Sequence, residues 1–202
     1  VLRRFPVTNQ EYIAFLDDLV RQGREEEAVR HVPRERAGQA GQQGAMIYGR
    51  DESGGFVLVP DADGDLWDID WPVCMVDWNG STAYAAWKAE QGALPWRLPE
   101  EFEWEKAARG VDVRFFPWGD GFDASRACMR DSHKGRMLPV LVDSYPLDES
   151  PYGVRGMAGN MRDWTATVYR KEGPPLLNGL VQALASASEE RASVRVLRGG
   201  SW

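Results

Sequence analysis

The spacing of apolar residues near the start of the chain predicts an amphipathic helix. Thr8 and Glu11 form a capping box, the pattern that marks a helix N-terminus. Gly23 marks the C-terminal end of this helix. The glutamates at 25–27 predict one or two further helical turns with a solvated face. The apolar residues of the first helix recur at intervals of three and four and share one face: Tyr12, Phe15, Leu16, Leu19 and Val20.

Two more helices are predicted in the middle of the chain. The first covers about 79–92, where a capping residue precedes a run of aromatic residues and alanines and a glycine follows. The second runs from about Glu100 to Arg109, with a proline before it and a glycine after it. Within this second helix we expect Phe102 and the alanines to face the core, with Trp104 at the margin of that face.

The remaining apolar runs are short, and most of them predict strands. Residues 46–48 and 56–59 form two such runs around a Ser-Gly-Gly turn. Apolar alternation over 194–197 predicts a closing strand, whereas 176–187 has a weak helical pattern. Proline and glycine turn signals recur between 111 and 152, so we expect mostly turns there.

The composition indicates a globular chain with large aromatic anchors. Of the 202 residues, 43% are hydrophobic and 27% are charged, which suits one ordinary domain with a packed core. Nine tryptophans, 21 glycines and 12 prolines point to a loop-rich fold in which the tryptophans pin irregular segments. No run approaches the roughly 18 apolar residues that cross a bilayer, so we predict no membrane span in this segment.

Charge and cysteine content narrow the possible functions. Acidic residues outnumber basic ones by 31 to 24, and the net charge of −7 argues against binding to nucleic acid. Cys74 and Cys128 are too few for a disulfide framework, so two free thiols are favoured over one bridge. Low cysteine content and the lack of a leader favour the cytoplasm. The chain begins at Val1 and not at a methionine, and it stops at Trp202, shortly after a glycine pair. We therefore expect it to be a piece of a longer protein.

An acidic loop is the first candidate for metal binding. Asp61, Asp63 and Asp65 alternate around a glycine, which is how calcium loops pack hard oxygen ligands around one ion. The spacing departs from the full EF-hand loop, because its final glutamate is missing and the glycine comes too early. The alternative is an acidic turn between two strands, and the sequence leaves both interpretations open.

Short motifs rich in tryptophan, glycine and proline follow one another along the chain. Each motif alone is a weak signal, and their order carries the information. In chain order they include Pro6-Val7-Thr8-Asn9, Val76-Asp77-Trp78, Ala83-Tyr84-Ala85-Ala86-Trp87, Arg97-Leu98-Pro99-Glu100-Glu101-Phe102, Pro117-Trp118-Gly119, Gly159-Asn160-Met161-Arg162-Asp163-Trp164 and Arg198-Gly199-Gly200-Ser201-Trp202.

This ordered set, from Pro6 to Trp202, resembles the formylglycine-generating enzyme family, also called the sulfatase-modifying factors. The resemblance implies one loop-rich α+β domain over residues 1–202, with short strands and few helices, related to the C-type lectin fold. The family's enzymes oxidise a sulfatase cysteine to formylglycine, using oxygen and a copper ion held by two cysteines. Similar domains occur in sulfoxide synthases of ergothioneine-type pathways, in variable ligand-binding proteins and in bacterial serine/threonine kinases.

Only some of the family's catalytic positions have a counterpart in this chain. Ser201 matches the active-site serine of the family. The copper-binding cysteines of the enzymes lie beyond the position of Trp202, and neither Cys74 nor Cys128 sits at the matching motif. Arg162 replaces an aromatic residue that lies close to the enzymes' active centre. A cation there changes the shape and charge of the pocket, which argues against the family's oxidation reaction.

The same motif also resembles a calcium site of the family. The ligands implied are the carbonyls of Gly159 and Met161 and the carboxylate of Asp163, with Gly156 at the position of a fourth ligand. The alternative is that Asp163 only caps or pairs locally. A second family calcium site corresponds to the region of Cys128, which is a poor calcium ligand in place of the expected asparagine.

Two functions from different classes remain open. The first is a non-catalytic module that binds a peptide or small molecule within a larger bacterial signalling protein, such as a serine/threonine kinase. The second is a copper-dependent oxidase that converts a protein cysteine to formylglycine, with its cysteine pair beyond residue 202. Arg162 and the weakened calcium positions favour the first. Calcium is its implied cofactor, and copper is implied only by the second.

Overall fold

The computed structural model describes residues 1–35, 44–61, 63–92, 94–173, 176–178, 180–181 and 194–201. Helices are few and strands are short, as the sequence predicts, and the three sheets of the described residues have two strands each. None of the described helices is long and apolar enough to cross a bilayer. In chain order the elements are α1 (Asn9–Arg21), α2 (Glu25–His31), β1 (Tyr48–Arg50), β2 (Phe56–Leu58), α3 (Trp78–Gln91), α4 (Glu101–Arg109), two 3₁₀ turns (Ala124–Arg126 and Arg130–Ser132), β3 (Asp163–Val168), β4 (Leu176–Leu177), β5 (Leu180–Val181) and β6 (Arg195–Arg198).

The first helix forms as its sequence predicts. The Thr8 hydroxyl accepts the Glu11 N–H at 3.3 Å, and the Glu11 carboxylate accepts the Thr8 N–H at 3.1 Å. This reciprocal capping box satisfies two donors that would otherwise be free at the helix start. Gly23 follows the last turn with a φ of 76°, a conformation that favours glycine. The confirmed apolar face is Tyr12, Phe15, Leu16 and Leu19, all of them buried.

The larger core forms where helices α1, α2 and α3 meet the β1–β2 hairpin. The rings of Tyr12, Phe15 and Tyr84 pack with centroids 5.4–5.8 Å apart. Burial of each large apolar side chain contributes about 1.5–3 kcal/mol. The Tyr12 hydroxyl donates to the His31 carbonyl at 2.9 Å, which ties the end of α2 to α1. Gly80 lets α3 approach this hydroxyl, because a Cβ there would lie only 2.6 Å from it.

The β1–β2 hairpin closes one side of this core. Its strands are antiparallel, with Tyr48 opposite Leu58 and Arg50 opposite Phe56. The second strand agrees with the predicted run at 56–59, whereas the first begins at Tyr48, two residues later than the run predicted over 46–48. The Tyr48 hydroxyl donates to the Asn9 side-chain oxygen at 2.7 Å. Both partners of this bond are buried, so the bond satisfies two polar groups inside the core.

The smaller core corrects the predicted orientation of helix α4. Trp104 is buried at 7% exposure, whereas Phe102 is 43% exposed. The inward face consists of Trp104, Ala107 and Ala108, which share one side of the helix at three- and four-residue spacing. Phe102 lies on the opposite side. The helix bounds agree with the prediction, but the prediction that Phe102 faces the core and Trp104 lies at its margin is wrong.

Strands β3 and β6 bring two distant motifs together. They pair antiparallel, with Asp163 opposite Arg198 and Trp164 opposite Leu197. Strand β6 confirms the strand predicted over 194–197. The glycine pair that follows it therefore lies beside the Gly159–Trp164 motif.

The weak helical pattern over 176–187 does not give a helix where the chain is described. Residues 176–177 and 180–181 instead form the antiparallel pair β4–β5. The backbone of Asn178 has a φ of 53°, which suits a tight turn between two strands and not a right-handed helix. Residues 182–187 lie outside the described residues.

Candidate functional site

The Gly159–Trp164 segment is held by a neighbouring loop through backbone contacts. The Asn160 N–H donates to the Cys128 carbonyl at 2.7 Å. The Asn160 side chain also donates to the Val140 carbonyl at 2.9 Å and accepts its N–H at 3.1 Å. Gly159 is required here, because a Cβ would collide with the carbonyl of Cys128. The motif thus fixes the backbone on which Asp163 and its neighbours stand.

Asp148 binds the backbone that leads into this segment, and the sequence analysis missed it. It is 1% exposed, and its carboxylate accepts the Ala158 N–H at 3.1 Å. Burial raises the pKa of Asp148 to about 6, although backbone N–H groups of this segment lower it; the charge of Asp163 also raises it. The Asp148 carbonyl accepts the Gly156 N–H at 3.1 Å. In the sequence Asp148 is one aspartate among many turn residues, so no local signal distinguishes it.

Asp163 is joined to Trp104, 59 residues earlier in the chain. The indole N–H of Trp104 donates to the Asp163 carboxylate at 2.8 Å. Burial raises the pKa of Asp163 to about 6, and the Trp104 hydrogen bond lowers it. Arg198 lies over the Trp104 ring, 5.2 Å from its centroid, and pairs with Glu105 at 2.9 Å. This arrangement fixes both the indole ring and the carboxylate.

The predicted calcium loop offers few free oxygens. The Gly159 carbonyl accepts the Met161 N–H at 2.8 Å, and Trp104 already donates to one oxygen of Asp163. Among the described residues no three His, Cys, Asp or Glu side chains converge on one point. Calcium takes about six to eight oxygen ligands. The loop therefore fits the ion poorly, and calcium binding through Gly156, Gly159, Met161 and Asp163 stays a prediction.

The acidic loop is arranged around a guanidinium group. Arg136 pairs with Asp63 at 2.9 Å and with Asp65 at 2.7 Å. The Asp61 carboxylate accepts the N–H groups of Asp63 and Asp65 at 3.0 and 2.9 Å and the Trp67 indole N–H at 3.0 Å. An arginine thus lies where an ion would be needed, and this geometry favours the acidic-turn interpretation.

Ser201 follows Gly199 and Gly200, which pack on the 157–161 segment after β6 ends. A Cβ on Gly200 would collide with the Ala158 carbonyl. The two cysteines are free, as expected, and both are buried. They occupy separate places, because Cys74 belongs to the larger core and Cys128 contacts His133 at 3.2 Å. They do not form a copper-binding pair.

A cavity of about 230 Å³ opens beside the Gly159–Trp164 motif. Its walls come from the chain start (residues 1–3 and 5–7), the 72–76 segment, helix α3, residues 96–99, residues 154, 155, 157 and 161–164, and Trp104. Four consecutive residues of the motif line it, namely Met161, Arg162, Asp163 and Trp164, whereas Ser201 and the acidic loop do not belong to its described lining. The aromatic residues of the lining are Phe5, Tyr12, Tyr84, Trp96, Trp104 and Trp164.

Hydrogen bonds hold the cavity walls in place. The indole N–H of Trp164 donates to the Val76 carbonyl at 3.0 Å, and that of Trp104 donates to Asp163. Helix α3 contributes one face whose members recur at positions i, i+3, i+4 and i+7. The sequence already shows this spacing. It places Lys88 on the same face of α3 as the apolar residues Tyr84 and Ala85, and a charged residue on an apolar face was the signal that could have pointed to the cavity. The α3 residues are Ser81, Tyr84, Ala85 and Lys88.

Comparison with known proteins places this geometry in a family. The sequence model of one protein family, the sulfatase-modifying factor enzyme 1-like domain, matches residues 1–202 of this chain. A hercynine oxygenase of Mycolicibacterium thermoresistibile is 34% identical over 98% of this chain and 43% of its own length. The inactive C-alpha-formylglycine-generating enzyme 2 of Bos taurus is 31% identical over 66% of this chain and 39% of its own length.

Two further comparisons extend this picture. The serine/threonine-protein kinase pkn1 of Chlamydia caviae is 35% identical over 65% of this chain and 19% of its own length. The structure of PvdO from Pseudomonas aeruginosa superposes with a TM-score of 0.60 and 22% identity, covering 98% of this chain and 67% of that one. The PvdO likeness establishes the fold alone. The chain thus spans less than half the length of the three relatives named here.

Proposed function

Because the chain belongs to the sulfatase-modifying factor enzyme 1-like family, we propose that it is a non-catalytic, ligand-binding module of a larger bacterial signalling protein such as a serine/threonine kinase. The observation that carries this proposal is the aromatic cavity of about 230 Å³ beside the family's motif. The names of two relatives agree with it, since one is a kinase and another an inactive enzyme.

The cavity has the properties of a preformed binding site. Ligand sites are concave, mostly apolar and supplied with a few polar groups that fix orientation. Here two indole rings are fixed by hydrogen bonds to Asp163 and to the Val76 carbonyl. Rigid walls lower the entropy cost of binding, because few side chains must be ordered when a ligand enters. We propose that a peptide side chain or a small molecule occupies this space.

The thiols and Arg162 argue against oxidation of a substrate cysteine by these residues. Burial raises the pKa of Cys128 to about 11 and that of Cys74 well above its usual value. Copper in these enzymes is held by a pair of thiolates, and Cys74 and Cys128 lie too far apart in the fold to form one, because Cys74 belongs to the larger core and Cys128 contacts His133. Arg162 lines the cavity where the family's enzymes are expected to carry an aromatic residue. The two buried free thiols also support a proposed location in the reducing cytoplasm.

A neutral probe tests ligand binding separately from charge. We would titrate ¹⁵N-labelled protein with 3-phenylpropanamide and follow the indole N–H signals by NMR. The signals of Trp96, Trp104 and Trp164 should shift, whereas that of Trp118, outside the cavity lining, should not. Equal shifts of all four signals, or none, would contradict a specific site.

Two helix variants provide matched controls for this titration. Ser81 and Thr82 each donate a hydroxyl to the carbonyl four residues earlier, at 3.0 and 2.9 Å, but only Ser81 belongs to the described lining of the cavity. Ser81→Phe should fill the cavity and abolish the shifts. Thr82→Phe should retain them.

The absence of catalysis has its own test. The chain would be incubated with copper, oxygen and a cysteine-containing sulfatase peptide, and the aldehyde product sought by mass spectrometry. We expect no product above a copper-only blank. Product above the blank would replace this proposal with the copper-dependent oxidase.

A second candidate function is the substrate-binding part of an oxygenase. One observation favours it: the match to the hercynine oxygenase covers 98% of this chain, against 65% for the kinase. Hercynine added in the same NMR titration distinguishes the two. Cavity-specific shifts with hercynine at lower concentration than with 3-phenylpropanamide would favour the oxygenase assignment.

A further inference from the structure

We propose that the ligand of this cavity is a small organic acid, with an aromatic or aliphatic body and a carboxylate that Lys88 and Arg162 bind. This inference rests on the proposed function and specifies its ligand class. It follows from the charges that line the cavity, from the partners of those charges and from the cavity's size.

The cavity is basic although the protein is acidic. The net charge of the chain is −7, yet the described lining contains five basic side chains and only one acidic side chain, that of Asp163. Three of the five basic groups are already neutralised by a glutamate. The pairs are Arg3 with Glu11 at 2.8 Å, Arg97 with Glu103 at 2.7 Å and Arg155 with Glu149 at 2.8 Å.

The two remaining basic residues have no such partner. Neither Lys88 nor Arg162 forms an ion pair with any residue in the described part of the chain. The Lys88 ammonium lies over the ring of Trp87, 5.8 Å from its centroid. Asp163 forms no ion pair with either residue in the described part of the chain; its carboxylate accepts the Trp104 indole N–H. The cavity therefore carries excess positive charge.

The aromatic walls of the cavity favour a ligand with an apolar body. The two unpaired cations, Lys88 and Arg162, favour a ligand with an anionic head group. An apolar body gains from contact with rings such as Phe5 and Trp96, and a carboxylate gains charge-assisted hydrogen bonds from an arginine or lysine. A ligand cation would be repelled by the same two groups. Sites for drug-sized molecules occupy roughly 300–1,000 Å³, so a cavity of about 230 Å³ suits a smaller acid or the last residue of a peptide.

Three probes with one phenyl body test the charge preference. They are 3-phenylpropanoate, 3-phenylpropanamide and 3-phenylpropylammonium, each titrated by calorimetry at low salt. We expect the carboxylate to bind about tenfold more tightly than the amide, a difference of about 1.4 kcal/mol. The ammonium should bind most weakly. High salt should weaken carboxylate binding and leave amide binding nearly unchanged.

Single substitutions test which residues cause the preference for a carboxylate over an amide. Arg162→Gln and Lys88→Gln should each reduce the ratio of carboxylate to amide affinity several-fold, with amide affinity unchanged. Arg21→Gln is the matched control: it removes one positive charge from an exposed helix position outside the described lining and should preserve the ratio. Melting temperatures of all variants confirm that the fold is intact.

The outcomes separate this inference from the proposed function. Equal affinity for carboxylate and amide, or a preference that survives both cavity substitutions, overturns the ligand class while the cavity remains a binding site. Failure of all three probes to bind at millimolar concentration overturns the proposed function as well. A peptide ending in phenylalanine, compared with its C-terminal amide, separates a peptide terminus from a free acid as the source of the carboxylate.

Discussion

Trp104 should be among the most costly aromatic residues to remove. Its ring is 7% exposed and packs on Met157, and its N–H donates to Asp163 at 2.8 Å. Trp104→Ala deletes this packing and leaves a void beside a carboxylate that loses its donor. Large aromatic deletions in cores cost about 3–5 kcal/mol of unfolding free energy. We expect a loss within or above that range.

Two further variants divide this loss into its parts. Trp104→Phe keeps most of the ring packing and removes the hydrogen bond to the Asp163 carboxylate. A lost hydrogen bond to a charged group costs roughly 1.5–3 kcal/mol. Phe102→Ala is the control on the same helix: its side chain is 43% exposed, so its removal should cost under about 1 kcal/mol.

Equilibrium unfolding in urea measures all three variants. The slope of unfolding free energy against urea should stay constant, so that shifts in midpoint report stability. The expected order of loss is Trp104→Ala, then Trp104→Phe, then Phe102→Ala. A larger loss for Phe102→Ala than for Trp104→Ala would refute the described orientation of helix α4.

Three other measurements address the motif segment. Burial raises the pKa of Asp163 to about 6, so the folded state retains a proton that the unfolded chain releases near its ordinary pKa of 3.8. Stability should therefore fall as the pH rises through this interval. Burial also raises the pKa of Asp148 to about 6, so Asp163→Asn should reduce the fall without removing it, whereas Asp143→Asn at an exposed position should leave it unchanged. Calcium should bind weakly, with a Kd of about 10⁻⁴ M, and at millimolar concentration it should raise the free energy of unfolding by about 1–3 kcal/mol. In calorimetric scans, Asp163→Ala should remove this stabilisation and Asp63→Ala should not. Gly159→Ala should lower the melting temperature because its Cβ meets a backbone carbonyl, whereas Gly121→Ala meets open space and should not.

The parts of the fold that the sequence predicted are those with local causes. The capping box at Thr8 and the apolar face of α1 lie within one helix, so spacing alone specifies them. The ends of α4 also follow from local signals. Its inward face does not, because periodicity shows which residues share a side and not which side meets the core. Trp104 faces inward because its partner, Asp163, lies 59 residues further along the chain.

The candidate site was predicted only as far as the family resemblance reached. The Gly159–Trp164 motif indicated where the site lies, but the cavity depends on segments that are distant in sequence. Arg97 and Arg155 are neutralised by glutamates six residues away, and Lys88 is not, which only the folded chain reveals. Asp148 was missed for the same reason, since its partners are backbone N–H groups that no residue type announces.

The family motif in this chain separates architecture from chemistry. Gly159 and Gly200 lie where a Cβ would collide with a backbone carbonyl, so these positions hold the crossing of two segments. Arg162 is exposed between them and takes no part in that packing. The backbone of the site can therefore stay the same while the side chain at position 162 changes from an aromatic ring to a cation. A family whose members include a kinase, an oxygenase and an inactive enzyme is what such a division permits, because function resides in the groups that line the cavity and not in the fold that supports them.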